Sequence, residues 1–205
     1  MEIKGKITWI SGPTVRADNL PGIKMYEVVY VGKDKLIGEV IAVSGDKAVI
    51  QVYENTSGLR PGEEVYRTGE PLSVMLGPGI IGKTYDGVQR PLDIIATKVG
   101  YFVKRGIHIE PIPFDKKWFF IPLINEGEKV EGNDIIGYVE ETPLIRHYIL
   151  VPPNIQGKVI EVVKEGEYFA NDIITKVKYE DNIYELKLYH KWPVRKPRPY
   201  KIRLE

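Results

Sequence analysis

Hydrophobic and polar residues alternate over short stretches in the first third of the chain, and this period of two is typical of half-buried β-strands. Glycine, proline, aspartate and asparagine separate the stretches and supply the turns between them. The predicted strands are residues 5–10, 25–31, 36–43 and 48–53, with a hairpin turn at 44–47. Short strands at this regular spacing favour a small closed β-barrel, which we end at residue 69.

The pattern changes between residues 70 and 105. We predict one apolar strand at 72–76, a glycine-rich turn, a short helical stretch ahead of Pro91, and then two apolar runs at 94–96 and 101–103. A single strand and a short helix cannot bury a core between them. This segment is therefore predicted to be a piece of a larger unit.

The rest of the chain carries an internal repeat. Residues 126–136 return as residues 165–174 with one residue fewer, and each copy is a glycine turn followed by a β-rich run. This arrangement resembles the barrel-sandwich fold of biotinyl and lipoyl carrier domains. Those carriers hold their cofactor on a lysine at the tip of the hairpin between the repeats. The corresponding residues 140–145 contain no lysine, so the resemblance implies a shape without a swinging arm.

A glycine-rich segment at residues 77–84 fits the phosphate-binding pattern GxxxxGK[ST]. Gly77, Gly82, Lys83 and Thr84 occupy its fixed positions. If the match were functional, the chain would bind a nucleotide through backbone N–H groups at the start of a helix. The alternative is a structural loop that only shares these letters.

The residues around this segment favour the structural loop. Ile80 and Ile81 are β-branched, so the positive φ angles that a phosphate-binding loop exploits would be strained there. Asp86 and Gly87 indicate a turn, and Pro91 cannot continue a helix interior, so at most about two helical turns fit after the loop. We therefore predict no nucleotide-binding residues, no metal site and no catalytic residue in this chain.

Composition excludes several classes of function. Twenty-nine Lys and Arg against 28 Asp and Glu give a net charge of +1, so no global field attracts nucleic acid or an anionic membrane. There is no cysteine, which removes disulfides and thiolate chemistry. No secretory signal or run of about eighteen apolar residues occurs, so we expect a soluble chain. High Glu, Lys, Ile and Tyr content with short loops is compatible with a thermophilic source.

The remaining ionisable residues show no catalytic spacing. His108, His147 and His190 are far apart and are expected to be surface or hydrogen-bonded structural histidines. The adjacent carboxylates at 63–64 and 140–141 would point to opposite faces of a strand, so we expect solvated turn charges there. A basic, aromatic strip lies near the C-terminus, and its prolines favour a connecting segment over a nucleic-acid site. It comprises Lys187, Tyr189, Lys191, Trp192, Arg195, Lys196, Arg198, Tyr200, Lys201 and Arg203.

Nine short motifs, in order along the whole chain, carry a resemblance to a known family. They are SGP at 11–13, MYE at 25–27, QVYE at 51–54, TSG at 56–58, RTG at 67–69, LGPGI at 76–80, DGVQRPL at 86–92, WPVR at 192–195 and RP at 198–199. Together they resemble the catalytic A subunit of archaeal A-type and vacuolar V-type rotary ATP synthases and ATPases.

The resemblance implies a mainly β fold with three parts. These are an N-terminal β-barrel at 1–69, incomplete pieces of an α/β nucleotide-binding domain at 70–105 and 190–205, and an inserted barrel-sandwich module, the bulge or non-homologous region, at 106–189. It also implies that the true phosphate-binding loop, the metal-binding carboxylate and the catalytic glutamate lie beyond this segment. The chain alone is then expected to be inactive, with ATP and Mg²⁺ bound only by the intact subunit.

The resemblance implies partners as well. The barrel would contact B subunits in an alternating hexamer, and the bulge would face the peripheral stalk. The complex would place this segment at the cytoplasmic side of the membrane, in contact with the membrane only through other subunits and with no nucleic acid. Two other functions stay open from the residues: a self-sufficient nucleotidase that uses residues 77–84, and an RNA-binding or carrier-like β module.

Overall fold

The computed structural model describes residues 4–100 and 104–200. They form two compact units, which are described separately below. One comprises Met1–Ser73 with Ile94–Ile109, and the other comprises Val74–Asp93 with Glu110–Glu205. The apolar run predicted at 101–103 lies outside the described residues.

The first unit contains a closed six-stranded barrel. Its strands are β1 (Lys4–Ser11), β2 (Thr14–Asp18), β3 (Glu27–Val31), β4 (Leu36–Ser44), β5 (Lys47–Val52) and β6 (Glu64–Pro71), in the order β1-β2-β5-β4-β3-β6. Alternate residues such as Val29, Val31 and Ile50 are fully buried inside it. The predicted barrel is confirmed. The prediction missed β2 and β6. In β2, Arg16 and Asp18 interrupt the apolar signal.

A buried ion pair fixes the start of β3 against β6. Glu27 is 2% exposed, and its carboxylate accepts hydrogen bonds from Arg67 Nε and Nη2, both at 2.9 Å. The backbone N–H groups of Gly69 and Lys24 donate to the same carboxylate, at 3.0 and 3.2 Å. Burial alone would raise the pKa of Glu27, but these hydrogen bonds outweigh it and the pKa is lowered.

One short helix and ten further strands follow the barrel. They are β7 (Ser73–Leu76), α1 (Leu92–Val99), β8 (Lys117–Pro122), β9 (Lys129–Val130), β10 (Ile135–Thr142), β11 (Ile145–Leu150), β12 (Gly157–Val162), β13 (Gly166–Phe169), β14 (Ile173–Tyr179), β15 (Asn182–Lys187) and β16 (His190–Pro193). The division between the two units falls within α1. β7 pairs with β16 in a two-stranded sheet.

The strands from β8 to β15 form a barrel-sandwich of two four-stranded sheets, ordered β11-β10-β8-β13 and β15-β14-β12-β9. Each copy of the sequence repeat sends one short strand into the other copy's sheet. β9 of the first copy pairs with β12, and β13 of the second pairs with β8. This reciprocal exchange explains why the repeat is needed, since neither copy completes a sheet alone.

The interior of the sandwich is apolar. Phe120, Ile136, Val139, Ile174 and Val177 are fully buried within one cluster. The mainly β fold, with a barrel and a barrel-sandwich, is therefore confirmed. In the parts of the chain that the structure describes, no helix has the length and hydropathy needed to cross a membrane.

Candidate functional site

The glycine-rich loop at residues 77–84 begins directly after β7, as a phosphate-binding loop would. Its left-handed positions are taken by Gly79 (φ 99°) and Gly82 (φ 75°), and not by Ile80 or Ile81. The backbone N–H of Lys83 donates to the carbonyl of Ile80 at 3.3 Å. The loop is therefore a compact turn closed by its own backbone.

No helix follows this loop directly. Tyr85 forms a bridge with Pro91, and the N–H of Leu92 donates to the carbonyl of Thr84 at 2.9 Å. The helix α1 begins only at Leu92. The predicted helical stretch ahead of Pro91 is therefore wrong. Proline is tolerated at a helix start because its missing N–H has no partner to lose there.

A side-chain-capped turn takes the place of that helix. Asp86 Oδ1 accepts hydrogen bonds from the backbone N–H groups of Val88 (3.1 Å) and Arg90 (2.8 Å), and Oδ2 accepts one from Arg90 Nε at 2.7 Å. Burial raises the pKa of Asp86, but the bonds from Arg90 and Val88 outweigh it and lower the pKa. Gln89 then pairs with β7: its amide donates to the Met75 carbonyl and accepts from the Met75 N–H, both at 2.7 Å.

A carboxylate of the protein binds the backbone of this loop. Glu141, at the end of β10, is 4% exposed in its side chain. Its Oε1 accepts the backbone N–H of Gly79 at 2.8 Å and that of Ile81 at 3.1 Å. Its Oε2 lies 2.8 Å from Nδ1 of His147. Two backbone donors of the loop, those of Gly79 and Ile81, are therefore bound by a carboxylate of the protein itself.

Close packing explains two of the loop's glycines. A Cβ on Gly77 would lie 2.5 Å from Cβ of Tyr189, and one on Gly79 would lie 2.6 Å from Cδ of Pro113. These distances are shorter than any normal carbon contact. Packing within this unit therefore explains why both positions are glycine, and the explanation does not involve a phosphate.

Lys83 and Thr84 occupy the last two positions of the phosphate-binding pattern. Lys83 Nζ pairs with Asp93 in the first turn of α1 at 2.6 Å, and both side chains are more than two-fifths exposed. Across residues 4–100 and 104–200, we find no group of three or more His, Asp or Glu side chains placed to hold a metal ion. The residues of the loop do not fit Mg²⁺ and a nucleotide phosphate.

All three histidines are hydrogen-bonded. His108 Nε2 lies 3.0 Å from the carbonyl of Lys35 in the barrel unit. In the other unit, His147 is bound to Glu141, and His190 Nε2 accepts from Arg198 Nη1 at 2.7 Å. Burial, together with the charges of Arg198 and His147, lowers the pKa of His190 to about 4. Although His147 and His190 are far apart in sequence, they line one small cavity.

The adjacent carboxylates are only partly as predicted. Glu140 is exposed and the Glu141 side chain is buried, so the two do point to opposite faces. The expected solvated charge is wrong for Glu141, and the sequence offers no signal for its partner, a loop 60 residues away. Glu63 is also structural, because its carboxylate accepts the backbone N–H groups of Lys33 and Arg60 at 3.1 and 3.2 Å.

The C-terminal basic strip folds back on itself. Trp192 Nε1 donates to the carbonyl of Lys196 at 2.8 Å, and the Arg198 guanidinium stacks 5.5 Å from the Trp192 ring centroid. Lys201 and Arg203 lie outside the described residues. The described part of the strip therefore uses its tryptophan ring and one arginine for internal contacts.

Known proteins match this chain along nearly its whole length. Residues 7–69 match the ATP synthase alpha/beta family, beta-barrel domain, and residues 109–195 match the ATPsynthase alpha/beta subunit barrel-sandwich domain. The A subunit of the A-type ATP synthase of Staphylothermus marinus is 57% identical over 99% of this chain and 34% of its own length. The corresponding protein of Pyrococcus abyssi is 55% identical over 100% and 20%, and that of Hyperthermus butylicus is 51% identical over 100% and 35%.

The chain spans about a third or less of these relatives. The two matched domains coincide with the closed barrel and the barrel-sandwich seen in the structure. The chain belongs to the ATP synthase alpha/beta family, and its similarity within that family is to the A subunits of A-type ATP synthases.

Proposed function

We propose that this chain is a non-catalytic part of the A subunit of an A-type rotary ATP synthase. Its barrel (1–69) would hold neighbouring subunits together, and its inserted module (106–189) would give the peripheral stalk a rigid surface. Residues 70–105 and 190–205 would join these parts to the nucleotide-binding domain. ATP and Mg²⁺ would be bound by other regions of the protein.

One observation carries the non-catalytic assignment: Glu141 occupies the loop that would otherwise bind a phosphate. Two of the loop's backbone donors are bound to this buried carboxylate, at 2.8 and 3.1 Å. An incoming phosphate would have to displace it and would meet its negative charge. No helix follows the loop directly to add the favourable N-terminal dipole.

Isothermal titration with Mg·ATP tests this assignment. We expect no binding by the purified chain at micromolar nucleotide, and the same result for Lys83→Ala. Glu140→Ala is a matched control, because it removes an exposed neighbour of Glu141 without touching the loop. Micromolar binding that Lys83→Ala abolishes would refute the assignment and show that residues 77–84 bind a nucleotide.

The proposed ring contacts rest on apolar residues exposed on the barrel. Ile41 and Val43 near the end of β4 are 40% and 37% exposed, and Trp9 and Tyr53 are each 43% exposed. Exposed apolar residues of this size are typical of contacts between subunits. The proposed partners are the B subunits of an alternating hexamer. Ile41→Asp with Val43→Asp in the whole protein should lower hexamer yield, and an unchanged yield would remove the barrel from this role.

The proposed stalk surface rests on the self-contained build of the barrel-sandwich. Its two sheets complete each other through the strand exchange of β9 and β13, so the module is suited to bear a load as one body. Deleting residues 110–188 from the whole protein should abolish stalk attachment while the hexamer still forms. Unchanged stalk attachment would end this part of the proposal. The complex would lie at the cytoplasmic face of the membrane.

The carrier and RNA-binding alternatives have little support. The tip of the β10–β11 hairpin carries Pro143 and Leu144, the latter 95% exposed, and no lysine. The described part of the basic strip is folded on itself through Trp192. A salt-dependent mobility shift of RNA by the purified chain would favour RNA binding.

A further inference from the structure

A small cavity lies beside the glycine-rich loop, within the second unit. Its volume is about 130 Å³, which is room for roughly four water molecules at ~30 Å³ each. Its lining includes three basic side chains and one tyrosine, and apolar residues complete the wall. The basic residues are His147, His190 and Arg198, the tyrosine is Tyr148, and the apolar residues include Leu76, Ile80 and Leu188.

Arg198 lines this cavity without a carboxylate partner. In the part of the chain that the structure describes, its guanidinium donates to Nε2 of His190 at 2.7 Å and stacks on Trp192. Among residues 4–100 and 104–200 no carboxylate forms an ion pair with it. Burial lowers the pKa of Arg198. A guanidinium has five N–H donors, and one of them is bonded to His190.

The carboxylate beside this cavity is already committed. Glu141 Oε1 accepts two backbone N–H groups, from Gly79 and Ile81, and its Oε2 is bound to Nδ1 of His147. Both of its oxygens therefore have hydrogen-bond partners, in the loop and in one imidazole. It does not lie in ion-pair contact with Arg198.

His190 does not balance the positive charge of Arg198 either. Its Nε2 accepts from Arg198, so the ring is neutral and its proton is on Nδ1. Its pKa of about 4 reflects burial first, then the charges of Arg198 and His147. An anion in the cavity would offset the positive charge of Arg198.

We propose that this cavity binds a small tetrahedral oxyanion of the phosphate or sulfate class, held by the Arg198 guanidinium. The planar guanidinium matches two oxygens of such an anion through parallel N–H donors. The cavity is too small for a nucleotide, because pockets for ligands of that size are about 300 Å³ or larger. The site is separate from the loop donors, which Glu141 occupies.

Titration of the full chain with inorganic phosphate tests the proposal, with the ring nitrogens of His147 and His190 followed by NMR. At constant ionic strength and near-neutral pH, we expect saturable shifts of both rings, with half-saturation at roughly millimolar phosphate. With phosphate bound, the pKa of His190 should rise, because a nearby negative charge favours the protonated ring. The His108 ring in the other unit serves as an internal reference and should not move.

Two substitutions of Arg198 and one matched control decide the outcome. Arg198→Ala should raise half-saturation about tenfold or more, because it removes charge-assisted hydrogen bonds. Arg198→Lys keeps the charge, loses the planar fork and should bind phosphate more weakly than the unsubstituted chain, which tests the site if Arg198→Ala does not fold. Arg146→Ala is the control, since Arg146 is also stacked on an aromatic ring, at 4.4 Å from Tyr138, but is exposed. Shifts that never saturate, or that survive Arg198→Ala unchanged, would overturn the proposal.

Discussion

Replacing Glu141 by alanine should loosen the glycine-rich loop and destabilise the second unit. The change removes an acceptor for three N–H groups: those of Gly79 (2.8 Å), Ile81 (3.1 Å) and the His147 imidazole (2.8 Å). A buried donor left without a partner costs about 1–3 kcal/mol. Gly79 is part-buried and should bear that full cost, whereas the exposed Ile81 can bind water instead.

Adding the lost partner of His147, about 1 kcal/mol, gives an expected loss of about 2–4 kcal/mol in the free energy of unfolding. Glu141→Gln retains an oxygen that can accept the N–H of Gly79. It should therefore cost about half as much. Glu140→Ala is the matched control, because its exposed side chain should contribute less than ~0.5 kcal/mol.

Urea unfolding followed by tryptophan fluorescence measures these differences. Trp118 and Trp192 lie in the second unit and Trp9 in the barrel, so a Trp9→Phe background reports the second unit alone. Midpoint changes at constant slope give the free-energy differences. Amide exchange at Gly79 should speed up tenfold for every ~1.4 kcal/mol lost locally. If Glu141→Ala behaves like Glu140→Ala in both measurements, the loop does not depend on Glu141 and our account of residues 77–84 fails.

Three other ionic contacts give predictions of their own. Lys83→Ala should change stability by less than ~1 kcal/mol, because its pair with Asp93 is exposed; a larger loss in thermal unfolding would point to a role we have missed. Arg67→Ala should destabilise the barrel by about 3–5 kcal/mol in urea, since it leaves the buried Glu27 carboxylate without its ion-pair partner. Because the pKa of Glu27 is lowered in the folded chain, the ion pair should contribute to stability above pH 4.5 and lose that contribution as pH falls further. A small loss on substitution, together with no acid dependence of the unsubstituted chain, would contradict this. His190 has its pKa lowered from 6.5 to about 4, so the second unit should lose stability as pH falls from 6.5 towards 4, and His190→Asn should remove that part of the pH dependence; an unchanged pH profile would show that His190 is not buried as described.

The sequence is sufficient to predict the fold where burial follows a simple period. β4 and β5 are predicted within one residue at each end, because apolar alternation and the turn at 44–47 agree. The prediction misplaces the helix, although the residues that mark a helix start are present in the sequence. Pro91, the acidic Asp93 in the first turn and the apolar Ile94 and Ile95 together mark a helix start at Leu92. The prediction places a helix before Pro91, whereas the helix begins directly after it, at Leu92.

The site is less predictable, for a physical reason. The steric argument at Ile80 and Ile81 correctly anticipates that only glycine takes the left-handed positions. It cannot supply the residue that satisfies the loop's donors. Glu141 lies 60 or more residues away, and nothing in its neighbourhood distinguishes it from Glu140. Such a pairing depends on how β10 packs, which local patterns do not encode.

The contacts of Glu141 bear on how a glycine-rich phosphate-binding pattern should be interpreted. The pattern specifies a turn whose backbone N–H groups converge, and those groups need an anionic or carbonyl acceptor wherever they are partly buried. In a nucleotide-binding protein that acceptor arrives with the ligand, and a following helix strengthens the site. Here a neighbouring strand provides a permanent acceptor, Gln89 holds the strand before the loop, and no helix directly follows the loop. We therefore propose that these eight residues anchor β7 to the barrel-sandwich, and that the partners of the loop's N–H groups, more than the pattern itself, decide between binding a nucleotide and stabilising the fold.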